Sequence, residues 1–292
     1  MKFSGKIIWV AAFLSGIALT AHGGEVNSPK IDEAGEDQGA RKQATPIKLV
    51  VLDPGHGGAD SGAIGPRGVL EKDVVLEVSK RLKATIEKRL PIKVILTRDE
   101  DVFIPLKERS DIANRLGADV FISIHANAAR RGGWGFETYF LSVTASDDES
   151  RALALMENYP METPPGLNQE LPPEVSDEVG AILYDMAQME FIKESEALAM
   201  IIQDRLATSL DSPNRGVKQA PFNVLMGAAT PAVLVEIGFV SSRKEVKYLT
   251  DPAMQAKIAD ALTSSVGEFA KRRAMRLTGG AAQHAPGPDG GS

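Results

Sequence analysis

A chain of 292 residues, 43% of them apolar, can bury one sizeable α/β core. Its net charge of −6 gives no basic footprint for nucleic acid and no electrostatic attraction to anionic lipid. The lack of cysteine excludes disulfides, a lipid anchor on an N-terminal cysteine, a thiol nucleophile and a thiolate metal site, so any metal must be held by His, Asp or Glu.

Residues 1–23 read as a secretory signal. Lys2 and Lys6 form a basic start, Ile7 to Ala21 is almost wholly apolar, and Ala21-His22-Gly23 offers small residues where a signal peptidase reads. The run is short for a bilayer span of about 20 residues, which favours cleavage over a retained membrane anchor. The expected location is the periplasm, with release from the cell as the alternative. Residues 24–46 mix Gly, Asp, Glu and Lys without apolar periodicity and read as a linker. The folded domain is expected over 47–276, and 277–292, rich in Gly, Pro and Ala, as a disordered tail.

Within 47–276, Lys48 to Leu52 is a β-rich run that stops at Asp53-Pro54-Gly55. From Leu70 to Leu90, Leu70, Val74, Val78, Leu82, Ile86 and Leu90 recur every four residues, the face of an amphipathic helix. Val94 to Leu96 is a second strand. Pro105 opens a helix carrying Leu106, Ile112, Ala113 and Leu116, which Gly117 closes. Asp119 to Ile124, Phe136 to Leu141 and Ala232 to Ile237 are further strands. A long helix ends near Leu210, and a last one starts at Asp251-Pro252 with Met254, Ile258, Leu262, Val266 and Phe269 on one face. Buried strands alternating with such helices predict an α/β fold, a largely parallel or mixed sheet flanked by helices on both faces. Ligands then bind outside the carboxyl ends of the strands.

Of four histidines, His22 lies in the signal and His284 in the tail. His56, in Asp53-Pro-Gly-His-Gly-Gly58, and His125, in Ser123-Ile-His-Ala-Asn-Ala128, each appear just after a buried strand. Either one alone would more often be a hydrogen-bonded structural residue; together they fall where such a sheet places its site. Two acids join them. Glu71 opens the first helix, where its charge also suits the N-terminus. Glu236 ends Ala232-Val-Leu-Val-Glu236, where a buried unpaired carboxylate would be costly. Two histidines and a carboxylate are a known zinc set in hydrolases, with one position left open for water. A further carboxylate can then take and return a proton. Spacing alone leaves open which acid is which, and no HExxH motif is present.

The segments DPGHGGADSGAIG, GVLEKDVVLEVSKRL, ILTRDEDVFIPLKERSDIANRLGADVFISIHANA, GFETYFLS and VLVEIGFVSSRKEVKYL occur in that order. From about Leu49 to Phe269 the chain closely resembles the type 3 N-acetylmuramoyl-L-alanine amidases, the group of the bacterial cell-separation amidases. The resemblance implies zinc ligands at His56, Glu71 and His125, an acid/base at Glu236, and hydrolysis of the bond between N-acetylmuramic acid and L-alanine in peptidoglycan. It also implies a zinc-exopeptidase-like mixed sheet of about six strands. Two departures stand out: the linker is too short for the targeting domain such amidases often carry, and VEIGF is followed by Ser241-Ser242 where Ser-Asn is usual.

A divergent stretch, about 143–190, is acidic and Pro-rich. Its plain reading is a tolerated surface insertion. The resemblance adds another: some members place here a helix whose glutamate blocks the zinc, displaced by an activator protein with an inactive metalloendopeptidase-like fold. Ser150 to Asn158 suits such a helix, with Glu157 as the blocking residue and Glu149 or Glu162 as alternatives. Arg98 and Arg109 are expected to pair with acids beneath the site. Asn127 could orient a ligand or bind substrate, and Trp134 could stack on a sugar or simply pack. The competing functions are a zinc peptidase acting within the stem peptide and a non-catalytic wall-binding module. The latter would be expected to have lost one of the four residues.

Overall fold

The computed structural model describes residues 47–128, 133–159 and 178–282, the backbone alone over 178–185 and 277–282. The signal, the linker, Glu162 and residues 283–292 lie outside these residues.

Six strands form one mixed sheet in the order β2-β1-β3-β6-β4-β5. β1 (Leu49–Pro54) pairs in parallel with β2 (Lys93–Leu96) on one side and β3 (Val120–Asn127) on the other. β3 pairs in parallel with β6 (Ala232–Phe239). β4 (Phe136–Leu141) runs antiparallel to β6 and parallel to the edge strand β5 (Asn214–Ala220). Side chains alternate across the sheet, so β1 sends Val50 and Leu52 to one core and Val51 to the other. The first core takes α1 (Glu71–Arg89), α4 (Glu178–Ser209) and α7 (Pro252–Ala282); the second takes α2 (Leu106–Leu116), α3 (Asp148–Asn158) and the short α5 (Asn223–Met226). A further short helix, α6 (Glu245–Leu249), follows β6.

The four-residue spacing in α1 does its work: Val74, Val78, Leu82 and Ile86 are all buried, with Leu70 and Leu90 half-buried at its ends. α2 ends at Gly117, whose φ of 62° is the left-handed geometry that a helix stop requires. The expected apolar face of α2 is only partly used, since Leu116 is exposed.

Two expectations need correction, and one strand was not expected. β3 continues past Ile124, so His125 and Asn127 lie within the strand, which keeps pairing with β6. β5, with the polar sequence NRGVKQA, is a strand that no apolar pattern announced. The backbone of α7 runs to Ala282, into the segment 277–292 that was read as disordered tail. The divergent stretch also contains helices: all of α3 and the start of α4.

Candidate metal centre

From β1 the chain moves to β2 on one side and then crosses to β3 on the other, so the carboxyl ends of β1 and β3 flank the point where strand order reverses. That is where open α/β sheets bind ligands. His56 lies two residues beyond β1, His125 lies in β3, and Glu236 is the register partner of His125 on β6. A register shift between His125 and Asn127 bends the ladder at this spot, the kind of bulge that re-aims side chains beside active sites. Glu71 is the first residue of α1.

These elements bring four expected residues together. Glu71 Oε1 lies 3.2 Å from both His56 Nε2 and His125 Nδ1. Its position is fixed by two backbone amides: Ala63 N–H donates to Oε2 at 2.9 Å and Ala126 N–H to Oε1 at 2.8 Å. His56 has a left-handed backbone (φ 58°), and its other ring nitrogen, Nδ1, is 2.9 Å from Asp60 Oδ2. The contact turns Nε2 toward Glu71, and Asp60 is in turn held by the Gly62 amide at 3.1 Å. The loop approaches so closely that side chains are excluded. A Cβ on Gly55 would stand 2.4 Å from the His125 ring, and one on Gly62 2.6 Å from His56 and 2.7 Å from Glu71.

Glu157, from α3, enters the same site. Its Oε2 lies 3.0 Å from His125 Nδ1 and 3.4 Å from His56 Nε2. The cavity left between His56, His125, Glu157 and their neighbours is only ≈ 10 Å³, about the smallest space that takes one water.

Charge sets the proton affinity of each group. Burial works against a charged His56, yet the carboxylates of Glu71 and Glu157 outweigh it and hold the ring well above its usual range. For His125 burial is likewise overcome, by Glu157 and Glu71, and its value rises to about 10. Glu71 and Glu157 are held well below the usual carboxylate range despite burial, by the same two imidazoles. Glu236 goes the other way. Burial, with the added repulsion of Glu71, Glu157 and Glu137, pushes it well above, against the pull of His125.

Beneath the site, Arg109 donates to Asp53 Oδ1 at 2.9 Å, and to the carbonyls of Pro54 and His56 at 2.8 Å each. Asp53 also accepts from Thr97 and Ser123. Arg109 thus pairs with an acid as expected. Arg98 does not: it is buried and donates to the carbonyls of Pro54, Gly55, Lys72 and Glu100. Both arginines brace the loop that presents His56. Asn127 Nδ2 donates to Glu137 Oε1 at 3.0 Å. Glu137 is fully buried opposite Glu236 across β4–β6, where Arg215 and Lys218 of β5 also meet it. Trp134 is exposed, with Lys244 Nζ 3.2 Å from its ring centre. Asp60, Glu137, Arg215 and Lys218 were missed from the sequence. Only Asp60, an acid four residues after His56 in a Gly-rich loop, left a readable signal there.

Residues 50–268 match the family model described as N-acetylmuramoyl-L-alanine amidase. The chain belongs to the N-acetylmuramoyl-L-alanine amidase family. It is 34% identical over 235 residues to the amidase AmiA of Escherichia coli K12, a match covering 80% of this chain and 79% of that one. It is 32% identical over 250 residues to AmiC of Escherichia coli O6:H1, covering 81% of this chain but 56% of that longer relative. Among solved structures, AmiC2 of Nostoc punctiforme superposes with a TM-score of 0.58 at 30% identity, covering 77% of this chain and 98% of that one.

The amidase has a donor set that fits a metal. His56 Nε2, His125 Nδ1 and both oxygens of Glu236 are buried without a hydrogen-bond partner among the described residues. His56, Glu71 and His125 each offer a ligand atom within 4.8 Å of the others, as do His125, Glu157 and Glu236. Orphaned buried nitrogens and oxygens are rare and call for an explanation. Carboxylates outnumber imidazoles here, so the amidase site attracts positive charge, and imidazole with carboxylate suits a divalent cation.

Proposed function

We propose that this amidase hydrolyses the bond between N-acetylmuramic acid and L-alanine in peptidoglycan, using zinc held by His56, Glu71 and His125, with Glu236 as acid and base. The observation that carries this reading is the convergence of His56 Nε2, His125 Nδ1 and Glu71 Oε1, with both Glu236 oxygens unpartnered across the register from His125.

A bound zinc ion would supply Lewis acidity and lower the pKa of a coordinated water. The protein's own groups do the rest. Asp60 holds His56 at Nδ1 and leaves Nε2 free for ligation, an outer-shell role common to metal-binding histidines. Arg98 and Arg109 keep the His56 loop in place through its carbonyls. Glu236 takes the proton of the attacking water and gives it to the leaving alanine nitrogen. Burial raises its proton affinity, as a group that must hold a proton at neutral pH requires.

α3 closes this site. Glu157 lies against both histidines, and a group there takes the place that substrate or water would need. α3 rests on a small apolar face, Leu153 and Ala154, and leaves Leu155, Met156 and Tyr159 exposed. An activator protein with an inactive metalloendopeptidase-like fold is the partner that would lift it, by gripping that exposed face. The basic, then apolar, start of the chain supports export, with the periplasm as the site of action.

Digestion of purified peptidoglycan with and without chelator, followed by mass analysis, tests the reaction. The expected products are intact stem peptides and sugar strands with free lactyl groups, formed only when metal is present. Glu236→Gln should retain zinc and lose turnover. Cuts within the peptide, full activity in chelator, or an active Glu236→Gln would each sink the reading.

A further inference from the structure

Glu137 has no exposed surface, yet two cations reach it from the edge strand. Arg215 Nε donates to its Oε2 at 3.0 Å, and Lys218 Nζ stands 3.0 Å from the same oxygen. Each cation also meets the start of α3. Arg215 Nη2 donates to Glu149 Oε1 at 2.6 Å, and Lys218 Nζ lies 3.4 Å from Asp147 and 3.7 Å from Glu149. Without α3, two cations face one buried carboxylate. The surplus is one positive charge, on side chains already partly open to solvent.

α3 spans from that surplus to the metal ligands, and the strip of protein it covers is termed the trough. Glu149 and Glu157 are eight residues apart on one helix, about 12 Å along its axis. Between them, Leu153 and Ala154 sit on an apolar floor that includes Tyr139, Ala220 and Phe222. An extended peptide rises about 3.3–3.6 Å per residue, so the same 12 Å spans roughly three or four residues. α3 therefore offers a carboxylate at each end of the path a substrate peptide would follow from the cleaved bond.

We infer that Arg215 and Lys218 form a subsite for a free carboxylate on the substrate's peptide, roughly three or four residues beyond the scissile amide, and that Asp147 and Glu149 occupy it while α3 is in place. The inference rests on the amidase reading above. A guanidinium whose Nε side serves Glu137 still presents its other edge for a second carboxylate, the two-sided use to which Arg is suited. The two cations are then specificity residues for the peptide, and α3 competes with substrate at both ends of the trough.

The test uses the full chain, zinc-loaded, and two soluble muramoyl-peptides that differ only in whether the peptide carboxylates beyond the alanine are free or converted to primary amides. Wild type should cleave the free form with at least tenfold higher kcat/KM, mostly through KM. Lys218→Gln and Arg215→Gln, each leaving one cation on Glu137, should bring that ratio close to one. Glu149→Gln, which removes the competing carboxylate, should raise the rate on both substrates and leave the ratio unchanged. A ratio taken within one protein cancels changes in how far α3 opens. Equal cleavage of both substrates by wild type overturns the subsite while leaving the amidase reaction intact, and needs no variant to fold. A full preference retained by both single cation variants overturns it too. Failure of both wild type and Glu157→Gln, whose α3 no longer holds the site closed, to cleave either muramoyl–alanine bond overturns the reaction reading together with the subsite.

Discussion

Replacing Glu157 by Gln should turn the amidase on without an activator. The substitution keeps the size of the side chain and the sequence of α3 otherwise, and removes only the charge facing His125 and His56 at 3.0 and 3.4 Å. Taken as comparable in strength to a hydrogen bond with a charged group, this charged contact contributes about 1.5–3 kcal/mol. At about 1.4 kcal/mol per tenfold, losing that contribution raises the ratio of open to closed α3 by about 10- to 150-fold. Basal turnover should rise by the same factor until open molecules predominate, after which the rate levels off at that of the fully open enzyme. The assay is the initial rate of release from dye-labelled peptidoglycan, read beside circular dichroism and the zinc content of the same sample. A Glu157→Gln protein that keeps its fold and zinc yet digests no faster than wild type would show that α3 does not limit the reaction.

Asp60→Asn removes the carboxylate that holds His56 Nδ1; outer-shell losses of this kind weaken metal binding about 10- to 100-fold, which competition with a chromophoric chelator will measure. Asp53→Asn leaves Arg109 charged in the interior. Breaking a buried pair in this way costs about 3–5 kcal/mol, or about 6–20 °C in Tm for a domain of this size. Asp53 is held below its usual range, because Arg109, Thr97 and Ser123 together outweigh a burial that would raise it. A depressed carboxylate contributes fully above its unfolded value and is lost only as pH falls through the folded one. The Tm gap between wild type and Asp53→Asn should therefore hold from about pH 8 to about pH 5 and close below about pH 4, the ordinary carboxylate range. A gap that closed at pH 6 would mean that Asp53 is not the titrating group.

Where one face of an element is wholly apolar, the sequence already displays it. α1 was legible in its four-residue repeat, and β1, β3 and β6 in runs whose every inner residue is buried. β5 was not, because Asn-Arg-Gly-Val-Lys-Gln-Ala has neither period. Its strand conformation comes from pairing with β4 alone, and its one fully buried residue is Ala220. The same contrast holds in the site. His56, His125, Glu71 and Glu236 could be found because imidazole is scarce in this chain and a carboxylate inside an apolar strand is costly. Arg215 and Lys218 sit in a polar stretch where a charge needs no explanation. Only the crossing of β5 beside β4 brings them to Glu137.

The way α3 is attached suits the proposed role of an insertion that both folds onto the site and leaves it. Its apolar anchor is small: Leu153 buried at full depth contributes about 1.5–3 kcal/mol, and Ala154 less. The remaining ties are polar. Asp147 caps the first turn through the Ser150 amide, Glu149 meets Arg215, and Asn158 exchanges hydrogen bonds with Pro221 and Asn223. Polar ties can be traded for water at modest net cost, whereas a helix anchored like α1, by Val74, Val78, Leu82 and Ile86, cannot leave without exposing the core. On the proposed reading, a segment held by charge at both ends and by little apolar surface between them would have two accessible arrangements. It would then also respond to whatever competes for its charges, a partner at one end or a substrate carboxylate at the other.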